Sequence, residues 1–138
     1  MFVGGLEYSP GTLIQIELVQ NFMSTIIYHN PQCTKSRLTL ALLQEHGIEP
    51  EIIEYLQTPP DAATLTNILQ QLGISPGEFM RTGEDEYKAA KDELANLSEA
   101  ELIAWIIDHP KVIQRPIVIT KKGARIGRPP ENVLEIIN

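Results

Sequence analysis

A single cysteine, Cys33, serves all 138 residues, so no disulfide can close within the chain and any thiol-disulfide chemistry needs a second thiol from outside it. The Cys-x-x-Cys pair of a dithiol oxidoreductase is excluded too, because Ser36 occupies its second position. A zinc site fails for want of ligands. A phosphatase loop of the Cys-x5-Arg kind requires arginine at position 39, which is Thr39. There is no Gly-rich nucleotide fingerprint, and no apolar run reaches the ~20 residues that cross a bilayer. Residues 1–22 contain no Lys or Arg, which excludes the basic start of a secretory signal. Positive charge is scarce overall: the net charge of −7 makes the chain a poor nucleic-acid binder, and neither a nucleic acid nor a membrane is expected as a partner.

What remains is the profile of an ordinary globular protein, 43% hydrophobic and 21% charged, at a length that buries one sizeable core without staples. Residues 1–22 carry Gly4-Gly5 and Ser9-Pro10-Gly11 and are expected to be a disordered extension, although Thr12 to Val19 offers a short strand or amphipathic patch. The folded domain is expected over 23–138. A lone unpaired thiol fits the reducing cytoplasm best.

Within that domain an apolar run over 24–29 predicts a strand, which gives way through Asn30-Pro31-Gln32 to Cys33 and a helix over 34–46. Leu38, Ala41 and Leu42 mark one face of this helix, and Gly47 supplies a left-handed stop. A strand is expected over 51–56. Asp61 then caps a helix with Leu65, Ile68, Leu69 and Leu72 at i, i+3, i+4, i+7, ended by Gly73. Ser75-Pro76 starts a short helix carrying Phe79, Met80 and Arg81, followed by a polar stretch over 82–96 in which Glu84-Asp85-Glu86 reads as a solvated face. Ser98 and Glu101 form a capping box, with Leu97 and Leu102 as its hydrophobic staple, before an apolar face of Leu102, Trp105 and Ile106. Strands over 117–120 and 124–127 flank a turn at Lys121-Lys122-Gly123, and Pro129-Pro130 opens a terminal helix with Val133, Leu134 and Ile137 turned to the sheet. The order β-α-β, helices, β-β-α predicts an α/β chain of thioredoxin-like fold: a four-stranded mixed sheet with a helical insertion between its second and third strands.

Cys33 then falls in the first βα turn, at the carboxyl end of a strand, where open α/β sheets place their sites. Unpaired N–H groups and the macrodipole at a helix start favour thiolate over thiol, which makes Cys33 a candidate nucleophile against the alternative of a small buried hydrophobe. Four arginines, Arg37, Arg81, Arg115 and Arg128, stand near turns or element ends. Any one of them reads as a surface charge, but Arg81, Arg115 and Arg128 can converge on the helix start in this fold, and guanidinium forks bind tetrahedral oxyanions bidentately. Such a pocket would hold an oxyanion beside the sulfur and depress the thiol pKa. Ser36 has a hydroxyl to offer the thiolate and His29 a positive charge or a loop contact, with local capping an equal alternative for both. His46 and His109 sit at helix ends, where a dipole contact explains them.

The run His29-Asn30-Pro31-Gln32-Cys33-Thr34-Lys35-Ser36-Arg37, with Arg115-Pro116-Ile117-Val118 and Gly127-Arg128-Pro129, closely resembles the glutaredoxin-coupled arsenate reductase (ArsC) family, most of all its short, YfgD-type branch. Glu54-Tyr55-Leu56, Thr58-Pro59-Pro60, Leu72-Gly73-Ile74 and Phe79-Met80-Arg81 extend the likeness across residues 24–138. The resemblance implies a cysteine that attacks arsenate, matched by Cys33, and an adduct attacked by glutathione as co-substrate, with no bound cofactor. Arsenite then leaves and glutaredoxin clears the mixed disulfide. It matches Arg81, Arg115 and Arg128 to arsenate-binding arginines, His29 and Ser36 to thiolate support, and Pro116 to a cis-proline. The same fold in an Spx-type regulator binding RNA polymerase, or in a general glutathione-linked thiol oxidoreductase, stays open at this point, as does another oxyanion in place of arsenate.

Overall fold

The computed structural model describes residues 25–137. The extension expected over 1–22, and Thr12 to Val19 within it, lie outside the described residues, as do Met23, Ser24 and Asn138. Four strands, β1 (Ile26–His29), β2 (Glu51–Glu54), β3 (Ile117–Thr120) and β4 (Gly123–Ile126), form one sheet in the order β2-β1-β3-β4. β1 runs parallel to β2 and antiparallel to β3, and β3 and β4 are the hairpin expected from Lys121-Lys122. The mixed sheet and its insertion follow the predicted order.

Among the described residues there are six helices: α1 (Thr34–Glu45), α2 (Ala62–Leu72), α3 (Pro76–Phe79), α4 (Asp85–Leu94), α5 (Glu99–Asp108) and α6 (Leu134–Ile137). Single 3-10 turns at Pro110–Val112 and Pro130–Val133 lead into β3 and α6. Local chemistry explains most boundaries. Asp61 Oδ1 accepts the Thr64 N–H at 2.8 Å, and Ser98 and Glu101 exchange their bonds at 3.2 and 2.8 Å as a capping box. A second box joins Ser75 and Glu78. Gly47 and Gly73 take left-handed φ of 76° and 72° just past α1 and α2. His46 and His109 cap α1 and α5, each ring Nδ1 against the carbonyl four residues back, at 3.0 and 2.8 Å. Trp105 stacks on His109 with ring centroids 4.0 Å apart and packs against the core.

Strand alternation divides the core into two layers. Ile27 and Val118 pair in register and face α1 and α6, where Leu43, Val133 and Ile136 complete a smaller cluster. Tyr28 and Ile117 pair on the other face and meet Leu65, Ile68, Phe79, Ile106 and Val112 in the larger one. Full burial of a side chain such as Ile27 is worth about 1.5–3 kcal/mol, so each layer contributes to holding the sheet against its helices.

Three expectations are corrected. The buried residues of α1 are Ser36, Thr39 and Leu43, with Leu42 partly buried against the smaller cluster as expected, whereas Leu38 is 50% exposed and Ala41 is exposed too. Ser36 and Thr39 turn inward because each has buried polar partners there. The polar stretch over 82–96 contains α4, anchored by Tyr87, Ala90 and Leu94 against the larger cluster. At the terminus Val133 is buried and Ile137 packs partly buried on the smaller cluster as expected, but Ile136 is buried as well, since the 3-10 start rotates the chain relative to an unbroken α-helix.

Gly127 ties the hairpin to α1. Its N–H donates to the Pro116 carbonyl at 2.9 Å, and the Thr39 hydroxyl reaches its carbonyl at 3.4 Å. A Cβ at this position would stand 2.5 Å from Thr39 Oγ1 and 2.9 Å from Pro116 Cγ. Gly127→Ala is therefore expected to destabilise the fold by about 1–3 kcal/mol through overpacking, read as a lower midpoint in urea with an unchanged slope.

Candidate functional site

At the end of β1 the chain turns tightly. The Cys33 N–H donates to the Asn30 carbonyl at 2.9 Å, and the Gln32 N–H to Asn30 Oδ1 at 3.0 Å. Ser36, fully buried one turn into α1, accepts the Asn30 N–H on its Oγ at 3.0 Å, and the same oxygen lies 2.7 Å from His29 Nδ1. The Ser36 hydroxyl is thus occupied by the loop. Burial first, then the charge of Arg37, holds the His29 pKa below its ordinary value, against an opposing pull from Glu54. His29 Nδ1 and the Ser36 hydroxyl share the 2.7 Å hydrogen bond, so His29 orients the loop. Arg37 folds back on the turn, donating to the Pro31 carbonyl at 2.9 Å and to Thr34 Oγ1 at 3.2 Å.

Cys33 is the residue before the first turn of α1, with extended backbone and a side chain that makes no capping bond. Its sulfur is left for other work. Burial is the largest single influence on the thiol and pushes its pKa up, but the Ser36 N–H, the Arg115 side chain and the Lys35 N–H together outweigh it. The net shift is downward, towards thiolate at neutral pH.

The three arginines arrive from separate elements. Arg128 follows β4 and places Nη1 4.0 Å from Cys33 Sγ and 3.4 Å from the Arg115 carbonyl. Arg115 precedes β3, with Nη1 3.4 Å from the Lys111 carbonyl. Both are followed by cis prolines, Pro116 and Pro129. Arg81 follows α3 and is brought alongside by an isolated bridge between Met80 and Ile113 and by its own N–H to the Val112 carbonyl at 2.7 Å. Burial, then repulsion from Arg115, lowers the Arg81 pKa, and Arg128 adds to the repulsion, so all three guanidinium groups feel one another. Arg81 Nη1 and Arg115 Nε are buried donors with no hydrogen-bond partner among the described residues. Donors of this kind, converging beside a thiolate, suit a small oxyanion.

Two neighbours of this cluster escape a reading of the sequence. Glu84, taken as part of a solvated face, has Oε2 3.7 Å from Arg81 Nε and 3.9 Å from Arg115 Nη1. Its spacing of three from Arg81 was the available signal. Tyr55, fully buried after β2, has a hydroxyl that makes no hydrogen bond of good geometry among the described residues, although the Asn30 side chain is near enough to act on it. Burial raises its pKa above the usual phenol value, against Arg115, so it stays protonated. The parallel register that pairs His29 with Glu54 puts Tyr55 next to Asn30. Among the described residues no group of three or more His, Cys, Asp or Glu could hold a metal ion.

Known proteins share this arrangement of chain. A family model described as the ArsC family matches residues 28–136. An uncharacterised Escherichia coli protein, YfgD, is 55% identical over 112 residues, covering 80% of this chain and 94% of its own. An arsenate reductase of Haemophilus influenzae is 50% identical over 116 residues, covering 83% and 100%. The solved structure of an arsenate reductase from Vibrio cholerae superposes with a TM-score of 0.78 at 49% identity, over 83% of this chain and 98% of that one.

Proposed function

Since this chain belongs to the ArsC family, with its thioredoxin-like fold, we propose that it is an oxidoreductase that reduces arsenate to arsenite on a single cysteine. The carrying observation is the meeting of a thiol biased towards thiolate with three arginines, two of which present buried unpaired donors. Relatives named arsenate reductase support the substrate.

In this reading the guanidinium groups of Arg81, Arg115 and Arg128 hold the oxyanion. Their charge offsets repulsion between arsenate and the incoming thiolate. Cys33 Sγ attacks arsenic, an S–As bond forms, and an arsenate oxygen departs as water after protonation. The thiolate of glutathione then attacks Sγ. A disulfide forms as the S–As bond breaks, and its electron pair stays on arsenic, which falls from As(V) to As(III) and leaves as arsenite. Both sulfurs are oxidised in that step. Glutaredoxin attacks the glutathione sulfur of the mixed disulfide and returns Cys33 to thiolate. An external reductant is required by the chain itself, for it has no second cysteine to resolve the adduct.

The testing experiment follows NADPH consumption in a mixture of the protein, arsenate, glutathione, glutaredoxin and glutathione reductase. Turnover that needs arsenate, glutathione and glutaredoxin is expected. Consumption independent of arsenate would overturn the substrate, and turnover that persists without glutaredoxin would overturn the proposed resolving partner.

A further inference from the structure

The electrostatics of the arginine cluster are incomplete without Glu84. Three guanidinium groups drawn together repel one another, and the Lys111 carbonyl 3.4 Å from Arg115 Nη1 is a neutral acceptor that brings no counter-charge. Glu84 Oε2 lies 3.7 Å from Nε of Arg81 and 3.9 Å from Nη1 of Arg115, and is the carboxylate oxygen bridging these two side chains among the described residues. The donors without partners are other atoms, Nη1 of Arg81 and Nε of Arg115. In a planar guanidinium Nη1 points away from the Nε–H edge, so the carboxylate takes one edge of each arginine and leaves a different edge buried and free. A carboxylate that competed with the substrate would sit on those free donors. This one does not.

We propose that Glu84 is a positioning residue for the oxyanion pocket, a fixed counter-charge that holds Arg81 and Arg115 in convergent poses before the oxyanion arrives. The proposal rests on the reading of the arginines as the oxyanion site and adds to it the residue that sets their separation. Glu84 precedes α4, yet its side chain makes no capping bond to the helix. Its carboxylate is therefore not needed to start α4. Its partial burial, 26% exposed against 26% for Arg81 and 16% for Arg115, shields the contacts from the screening that weakens surface pairs.

The test compares Glu84→Gln and Glu84→Asp with the wild type in the full chain. Glu84→Gln is expected to raise the KM for arsenate about 5- to 10-fold with kcat changed less than about twofold, since ground-state aim is lost and the reacting groups are retained. Glu84→Asp, which keeps the charge one methylene further back, is expected to recover part of that loss. A second readout, the midpoint of Cys33 alkylation by iodoacetamide against pH, needs no arsenate. Loss of a negative charge from a static pocket would move this midpoint down. Loss of the brace on Arg115 would move it up, because Arg115 is one of the groups that favour the thiolate. An upward shift in Glu84→Gln is expected. A downward or absent shift, or a lower KM, would overturn the proposal and mark Glu84 as a competitor for the pocket. If the wild type does not turn over arsenate, the proposed substrate fails, while the alkylation midpoint still decides the role of Glu84.

Discussion

Cys33→Ser is expected to reduce arsenate-dependent turnover to the background of the assay mixture, a loss of at least about 10³-fold, or some 4 kcal/mol of barrier. Serine keeps the size and the place at the start of α1, so the turn through Asn30 and Ser36 survives and the variant tests chemistry alone. A hydroxyl is hardly ionised at neutral pH and cannot carry the electron pair that a sulfur hands to arsenic. With no other cysteine in the chain, no neighbour can substitute. Wild-type alkylation should report the same bias from another side. The folded thiol pKa is held below its ordinary value, so thiolate reactivity is already present below the free value of about 8.5 and is lost as pH falls through the lowered pKa. Alkylation that rises only around the free value would contradict the electrostatics described for Cys33.

Arg115→Ala and Arg128→Ala carry the second large effect, each expected to lower kcat/KM about 10²- to 10³-fold, the scale found when one donor to a developing anion is removed. The two should differ in a revealing way. Arg115 favours the thiolate directly as donor and charge, so its loss is expected to raise the alkylation midpoint. Arg128 lies 4.0 Å from the sulfur and also donates to the Arg115 carbonyl, so its removal should cost oxyanion binding and loosen the approach of the two segments. Lysine at either position restores charge without the fork and should rescue only part of the rate. Full turnover in both alanine variants would remove the anion pocket from the mechanism.

Legibility in the sequence followed locality. Asp61, Ser98 with Glu101, Gly47 and Gly73 announced their helix ends because caps act within one turn, and Cys33 stood out because a turn and a helix start meet at it. The four-stranded mixed sheet and its helical insertion were legible from element succession. Arg81, Arg115 and Arg128 were readable as a group only through topology and resemblance, for 34 and 13 residues separate them and they meet through long-range pairings, the Met80–Ile113 bridge and the β3-β4 hairpin among them. α1 misled at Leu38 and Ala41, since buried hydrogen bonds turned Ser36 and Thr39 in instead, while Leu42 packs on the smaller cluster as expected. α4 was hidden by its charge, although Tyr87, Ala90 and Leu94 keep the i, i+3, i+7 spacing. Glu84 left only its spacing of three from Arg81 as a local signal, while its reach to Arg115 and the place of Tyr55 beside Asn30 depend on partners far away in the chain, which no local pattern encodes.

The hairpin acts as a calliper. Ile117 pairs with Ile126, so the stations of Arg115 and Arg128, each two residues beyond that pair, follow from the strand register. A slip of one residue along β4 would carry Arg128 about 3.3 Å from its station and turn it to the opposite face of the sheet. Lys121 and Lys122, at the far end of the ribbon, therefore govern the jaw opening without approaching the sulfur: lengthening that two-residue turn would miscalibrate the grip while leaving every guanidinium in the chain.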